Sequence, residues 1–416
     1  MISLVEARNY RCLKMLRQPL GPFHVLVGPN ASGKTTFLDA VAFLSDLVSD
    51  GLEAAVAKRS ANFMDLLWGR TGDRFELAVE APIPEERQIP LESPQHDTIR
   101  YEVAVGLDKA NNQLQVLDEQ VTLLSSASHP PAAPEAVSLF LGDVETPAQA
   151  VAGKLRRTGR TRFAGPPWPT ILTPEVDIDD RYVIASPKKP QSVLGSLEEH
   201  RFPASHWLAN TLREGVFRFE LSNFALRQPS PPGKGIRLRE DGSNLPWVIG
   251  ALQEKHPERF QDWLAHLRTG LPDLSGIRVV ERPEDKHRYL MLKYHNGLEV
   301  PSWMLSDGTL RLLALTVIPY LPDFRGTCLI EEPENSIHPL NIQTVMQSLK
   351  SVYEGQVLVA TQSPVVLAEA RLEETLVFTR SSEDGTSVTA GDQHPNLREW
   401  KGEVSLGTLF AGGVLG

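Results

Sequence analysis

Cysteine is nearly absent: the 416 residues carry two, Cys12 and Cys328. Two thiols cannot build a disulfide framework, and Cys328 sits in an apolar run where it reads as a small core residue. That usage fits a reducing, cytoplasmic setting. Long apolar runs are missing as well. The nearest, residues 310–321, is interrupted by Arg311 and Pro319 and falls short of the roughly 20 residues needed to cross a bilayer. Glu6 and Arg8 lie among the first residues, so no secretory apolar segment is expected there. Positive charge is in deficit, with 42 Lys and Arg against 52 Asp and Glu, a net of −10. This speaks against a surface built wholly for nucleic acid, although it leaves room for a local basic channel. There is no internal repeat and no sustained a/d heptad, which excludes a long coiled-coil arm. What remains is an ordinary globular composition, 41% hydrophobic and 23% charged, on a chain long enough for two or three domain-sized units.

The most informative stretch is Gly28 to Thr35, G-P-N-A-S-G-K-T. It satisfies G-x-x-x-x-G-K-[ST] and stands in the context that motif requires. Residues 23–27 form an apolar run of strand type. After it, Phe37, Leu38, Val41, Leu44, Leu47 and Val48 recur at helical spacing on one face. Strand, turn and helix of this kind wrap backbone N–H groups around phosphates at the positive end of a helix. Gly28, Asn30, Ser32, Gly33, Lys34, Thr35 and Thr36 are therefore the expected phosphate-binding residues. Lys34 reaches the phosphate oxygens as a point charge, and the Thr35 hydroxyl is offered to Mg²⁺. The expected cofactors are ATP and Mg²⁺.

Three further segments carry chemistry. Leu305-Ser306-Asp307-Gly308-Thr309 stands directly before an apolar helix, an anion-binding arrangement that also suits a plain N-cap. Residues 327–330 are of strand type and end in the adjacent carboxylates Glu331 and Glu332, whose side chains should diverge by strand alternation. One can then face a metal's water shell and the other the attacking water. Residues 356–360 form an apolar strand running into Thr361-Gln362-Ser363-Pro364. Gln362 can hydrogen-bond a phosphate but cannot exchange a proton near neutral pH. His338 has a rival reading as a metal ligand, without a second His or Cys at ligand spacing.

Around these motifs, residues 2–20 read as two short strands joined at Asn9-Tyr10-Arg11. Residues 74–84, 98–108 and 115–124 alternate with period two, as antiparallel strands with one wet face. Proline-rich joints at 82–94, 129–136 and 165–174 read as loops. Helical patterns cover 204–215 and 244–269, strand-like alternation covers 277–300, and 381–387 reads as a polar turn. Lys154, Arg156, Arg157, Arg160 and Arg162 cluster, with Lys188 and Lys189 beyond, as a solvated loop or a patch for a phosphate backbone.

The order strand, aromatic-Arg step, strand and G-P-N-A-S-G-K-T-T resembles the opening of the ATPase heads of the structural-maintenance-of-chromosomes (SMC), RecF and overcoming-lysogenization-defect (OLD) families. The three later segments resemble their signature (usually L-S-G-G-Q, with Asp307 and Thr309 replacing a glycine and the glutamine), Walker B and switch motifs. The resemblance covers residues 1–50 and 290–416 well and the middle poorly. It implies an α/β fold, a P-loop NTPase of ABC type with a mixed sheet, an antiparallel β subdomain and a helical signature subdomain. It divides the chain into an N-terminal part of the head (1–80), a strand-rich insertion (81–200), a subdomain leading to the signature (201–300) and a C-terminal part of the head (301–416). Glu331 stands where relatives keep a Mg²⁺-associated Asp, Glu332 where they keep the catalytic Glu, which makes it the expected general base, and Gln362 where many keep a switch His, which implies slow turnover. Arg11 becomes a second nucleotide contact, and residues 334–338 the D-loop. Ser306 and Gly308 would dock on ATP held by a second copy, giving a homodimer. The resemblance further implies an ATP-gated scaffold for a separately encoded effector, a nuclease or toxin in bacterial anti-phage defence. The alternative is a RecF- or SMC-like repair ATPase that clamps DNA through the 154–162 cluster. The stretch after the switch leaves no room for a toprim nuclease. A transporter ATPase is disfavoured because its motifs lie much closer together.

Overall fold

The computed structural model describes residues 1–91, 96–108, 113–125, 160–164, 170–172, 175–176, 182–184, 192–322, 324–381, 385–397, 400, 402 and 404–415. The first nine strands are β1 (Leu4–Tyr10), β2 (Leu13–Pro19), β3 (Phe23–Val27), β4 (Arg74–Pro82), β5 (Thr98–Leu107), β6 (Leu114–Leu124), β7 (Arg160–Ala164), β8 (Thr170–Leu172) and β9 (Tyr182–Ile184). The rest are β10 (Val216–Phe219), β11 (Leu274–Glu281), β12 (Arg288–Tyr294), β13 (Glu299–Pro301), β14 (Thr327–Glu331), β15 (Gln356–Thr361), β16 (Thr375–Ser381) and β17 (Gly385–Ala390). The longer helices are α1 (Lys34–Asp50), α2 (Pro203–Gly215), α3 (Leu245–Lys255), α4 (Pro257–Gly270), α5 (Asp307–Thr316) and α6 (Pro339–Lys350). They distribute between two compact units, Met1–Gly21, Ala31–Val216 and Phe378–Val388 in the first, and Pro22–Asn30, Phe217–Val377 and Thr389–Gly416 in the second. The mixed α/β fold expected from the sequence is the one adopted.

In the first unit an antiparallel sheet runs β2-β1-β4-β5-β6-β7. Helix α1 buries Phe37, Leu38, Val41, Leu44, Leu47 and Val48, the face its spacing predicted. Tyr10, Phe43 and Phe75 meet there edge-on or tilted, with centroids 4.9 to 6.0 Å apart. The expected wet face is a correction for β4 and β5: their interior residues are buried on both sides. Their polar residues neutralise one another instead of meeting water. Arg100 pairs with Glu6, with Glu80 at 2.7 Å and with Glu102 at 2.9 Å, and Arg17 reaches Glu6 at 2.8 Å. Gln120 donates to the remaining oxygen of Glu102. Buried charges survive only with such partners. A second correction is β8, which puts Thr170–Leu172 in a strand within a proline-rich stretch expected to be loop. No proline occupies those three positions, so none of their N–H groups is lost to the pairing with β9.

In the second unit β10-β14-β15-β3-β16 form one sheet. The pairs β14/β15, β15/β3 and β3/β16 are parallel, so these four strands end on a common edge. Their continuous apolar runs, such as Val25 to Val27 and Cys328 to Ile330, suit strands covered on both faces. Burial also pushes the Cys328 thiol well above the ordinary range, as befits an unreactive core position. Residues 244–269 form two helices, where the sequence suggested one pattern. The break falls at His256, because Pro257 has no N–H and its ring clashes with a preceding turn, whereas it fits the first position of α4. Strands β11, β12 and β13 form a separate antiparallel sheet. Among the described residues no helix is long and apolar enough to cross a membrane.

Candidate functional site

The sheet of the second unit aligns the ends of its parallel strands. Val27, the last residue of β3, is level with Thr361 of β15, and Glu331 of β14 is level with Ala360. Gly28, Glu332 and Gln362 therefore leave the same edge, with β15 between the other two strands. That carboxyl edge is where α/β sheets place ligands.

Gly28, Pro29 and Asn30 continue β3, and the remainder of the glycine loop leads into α1 of the first unit. Ala31 (φ 60°) and Gly33 (φ 109°) both take the left-handed conformation, which curls successive N–H groups towards one side. Lys34 begins the helix, buried, with its Nζ 3.4 Å from Ser32 Oγ. Asn30 and Thr35 are exposed and Thr36 is half-buried. The first turn of α1 contains no acidic side chain, so nothing there competes with an anion for the positive helix end. The loop is braced from behind within the first unit. Thr386 Oγ1 donates to the Ser32 carbonyl at 2.9 Å, and Arg380 donates to the Ala31 carbonyl at 3.3 Å. A Cβ on Gly33 would fall 2.4 Å from Thr386 Oγ1, so the brace closes on glycine alone. The expected polar turn is corrected here: Gly385 to Ser387 lie in β17, and residues 382–384 fall outside the described ones. Nothing in the sequence signalled Thr386 or Arg380, which lie far along the chain from the loop.

Arg11 also has a left-handed backbone (φ 51°), and its Nη1 lies 3.1 Å from Asp39 Oδ2 in α1. Asp39 additionally accepts from Tyr10 Oη at 2.6 Å and Arg59 Nε at 2.8 Å. Burial, then the Asp39 charge, pushes the Tyr10 phenol well above its ordinary range, so Tyr10 remains a donor.

Glu331 closes β14 with Arg218 Nη2 3.3 Å from its Oε1, and Arg218 Nε lies 2.9 Å from Glu220. Glu332 then adopts φ 47°, while its N–H donates to the Ala360 carbonyl at 2.8 Å. A left-handed residue, more than strand alternation, separates the two carboxylates. Glu332 Oε2 accepts from Asn335 Nδ2 at 2.7 Å, and its Oε1 accepts from Gln362 Nε2 at 3.2 Å. The expected base and the expected switch residue are in direct contact. His338 accepts from Leu340 N–H at 3.3 Å and caps α6. Among the described residues no group of three or more His, Cys, Asp or Glu is arranged to hold a metal, so the metal reading of His338 finds no support.

Ser306 caps α5, its Oγ accepting from Thr309 N–H at 3.1 Å and lying 2.8 Å from the Thr309 hydroxyl. Asp307 is held by Arg227 at 2.6 Å. A Cβ on Gly308 would lie 2.2 Å from the Ser336 carbonyl, so the turn that opens α5 rests directly on the backbone at Ser336. Of the basic cluster, Lys154, Arg156 and Arg157 lie outside the described residues, as do Lys188 and Lys189. Arg160 and Arg162 belong to β7.

The profile of a family described as "AAA domain, putative AbiEii toxin, Type IV TA system" matches residues 23–117 and 170–368, most of the chain. The OLD nuclease of Thermus scotoductus is 46% identical over 41 residues, 10% of this chain and 8% of that protein, so the chain spans a small part of that relative's length. An Smc head solved with the C-terminal winged-helix domain of ScpA superposes with a TM-score of 0.53 at 15% identity, over 93% of this chain and 96% of the other. The Smc head of Pyrococcus furiosus, solved with an extended coiled coil and bound to a ScpA C-terminal domain, gives 0.50 at 14% identity, over 93% and 95%. At such identities the likeness concerns the fold. With the profile match, and with Gly28 and the Glu332–Gln362 pair on one sheet edge, the chain belongs to this AAA family of P-loop ATPases.

Proposed function

We propose that the chain binds ATP with Mg²⁺, hydrolyses it slowly, and uses the cycle to pair two copies and to gate a separately encoded effector. The effector we favour is a nuclease in a cytoplasmic anti-phage defence system. The observation that carries this reading is the Glu332 carboxylate held between two amides, Asn335 and Gln362, on the edge from which Gly28 departs. Amides orient a carboxylate without exchanging a proton with it, an arrangement suited to a group that aligns a water. Bound Mg²⁺ supplies charge neutralisation on the phosphates. The oxygens offered to it, the Thr35 hydroxyl and the Glu331 carboxylate, are of the hard type that ion prefers. Arg218 balances Glu331 and supplies the counter-charge at that position. Gly28, Asn30, Ser32, Gly33, Lys34 and Thr36 surround the phosphates.

Gln362 in place of a titratable switch residue supports slow turnover. Pairing is supported by the contact of Gly308 with Ser336, which makes signature and D-loop one rigid piece suited to reading nucleotide on a second copy. A defence role is supported by the family description and by the local similarity to an OLD nuclease. A protein partner is consistent with the ScpA-bound relatives. The test is Glu332→Gln, which should bind ATP without turnover and accumulate as a dimer in light scattering. Its co-purified proteins, captured from native cells with ATP, should include a stoichiometric nuclease or toxin. Monomers with and without ATP refute the pairing. DNA and repair proteins in place of a dedicated partner transfer the assignment to a clamp acting on DNA.

A further inference from the structure

We propose that Glu334 is a positioning residue for ATP hydrolysis, holding the loop 361–363 so that the Gln362 amide meets the Glu332 carboxylate. Its Oε1 accepts from the Thr361 hydroxyl at 2.6 Å, and the same hydroxyl accepts from Ser363 N–H at 2.9 Å. One carboxylate thus fixes the residues on both sides of Gln362, and the next residue, Asn335, holds the far oxygen of Glu332. Thr361 is wholly buried. Among the described residues Glu334 Oε2 is buried without a hydrogen-bond partner, an arrangement costly enough to ask for a reason beyond packing. Glutamine would accept the Thr361 hydroxyl with less desolvation, whereas a carboxylate gives a shorter, charge-assisted bond and a stiffer loop. Arg311 of α5, Glu332 and Asp307 are the charged neighbours that complete the setting. Because Glu334 lies between Glu332 and Ser336, the surface that Gly308 touches is joined through it to the catalytic pair.

The inference rests on Glu332 as the water-orienting group, and the experiment separates the two ideas. Steady-state kinetics, ATP affinity and thermal melting are compared for Glu332→Gln, Glu334→Leu, Thr361→Val, Thr361→Ser and the double variant Glu334→Leu/Thr361→Val. Glu334→Leu and Thr361→Val should each lower kcat on the order of 10- to 100-fold, as for loss of one charge-assisted bond, with KM and ATP affinity within about threefold. The double variant should be no slower than the worse single one, because both act through one contact. Thr361→Ser, which keeps the hydroxyl, should rescue kcat. Should Glu334→Leu fail to fold, Glu334→Gln replaces it and should give a smaller loss confined to kcat. Multiplying losses in the double variant, a loss carried by KM, or an unchanged kcat overturns the assignment. Parent-like turnover in Glu332→Gln would instead remove the base, whatever Glu334 does.

Discussion

Replacing Gln362 by Glu should convert a pH-insensitive site into a pH-dependent one. The parent amide lies 3.2 Å from Glu332 Oε1 and donates to it. A carboxylate in its place would set two negative charges at that separation. Coulomb's law gives about 5 kcal/mol of repulsion at an effective dielectric of about 20, and about 1 kcal/mol in bulk water. Gln362 is half-buried, so the value lies between these limits. Two carboxylates so close share a proton that an isolated one would have lost. The sign follows from which form works. The base must be ionised, so the variant should lose turnover towards the acid end and recover it as pH rises. The parent, with an amide there, should show no such step from this pair. The assay is phosphate release at saturating ATP from pH 5.5 to 9, with ATP affinity measured at each end. Superimposable profiles for parent and variant would refute a working contact between Gln362 and Glu332. A uniform loss at all pH values would show that the amide acts elsewhere.

Gly33→Ala forces a left-handed residue to carry a Cβ into Thr386, and ATP affinity by titration calorimetry should drop at least about tenfold, while parent-like affinity would exclude the loop as the phosphate cradle. Arg100→Leu leaves Glu6, Glu80 and Glu102 buried without their counter-ion, and urea unfolding should report a loss of about 3–5 kcal/mol; less than about 1 kcal/mol would mean the carboxylates re-pair. Glu175 is pushed up to about 7 by burial, which outweighs its bonds from Ser205 and the Ala204 N–H. A raised carboxyl favours the folded state at low pH, so this contribution, at most about 3 kcal/mol, should be full below pH 4.5 and vanish towards 7. Glu175→Gln should remove that slope from stability measured against pH, and an unchanged slope would assign it to other groups.

Much of this was legible in the chain because phosphate binding leaves a local imprint. Eight consecutive residues from Gly28 carry the loop, and two adjacent carboxylates after an apolar run carry the hydrolytic edge. The same locality explains the misses. Thr386 and Arg380 brace the loop across a long stretch of sequence, and no spacing rule links them to Ala31 and Ser32. The polar residues of β4 and β5 alternate as an exposed face would, yet Arg100 turns that face inward by supplying the compensating charge. Glu334 could have been noticed as the third carboxylate of Glu331-Glu332-Pro333-Glu334, but its bond to Thr361 depends on the left-handed turn at Glu332. The helix break at His256 was readable from Pro257 alone.

The position of β3 has a consequence for how the molecule is made. Val25 is synthesised long before the residues it aligns with, Val359 and Thr375. The antiparallel strands β1, β2, β4, β5 and β6 find their neighbours within the first part of the chain and can pair during translation. Their contacts close short loops, whereas setting β3 between β15 and β16 closes a loop that holds every element from α1 to α6. The strand that delivers the glycine loop thus waits for its sheet neighbours until β15 and β16 have been made, and the loop gains its sheet support only then.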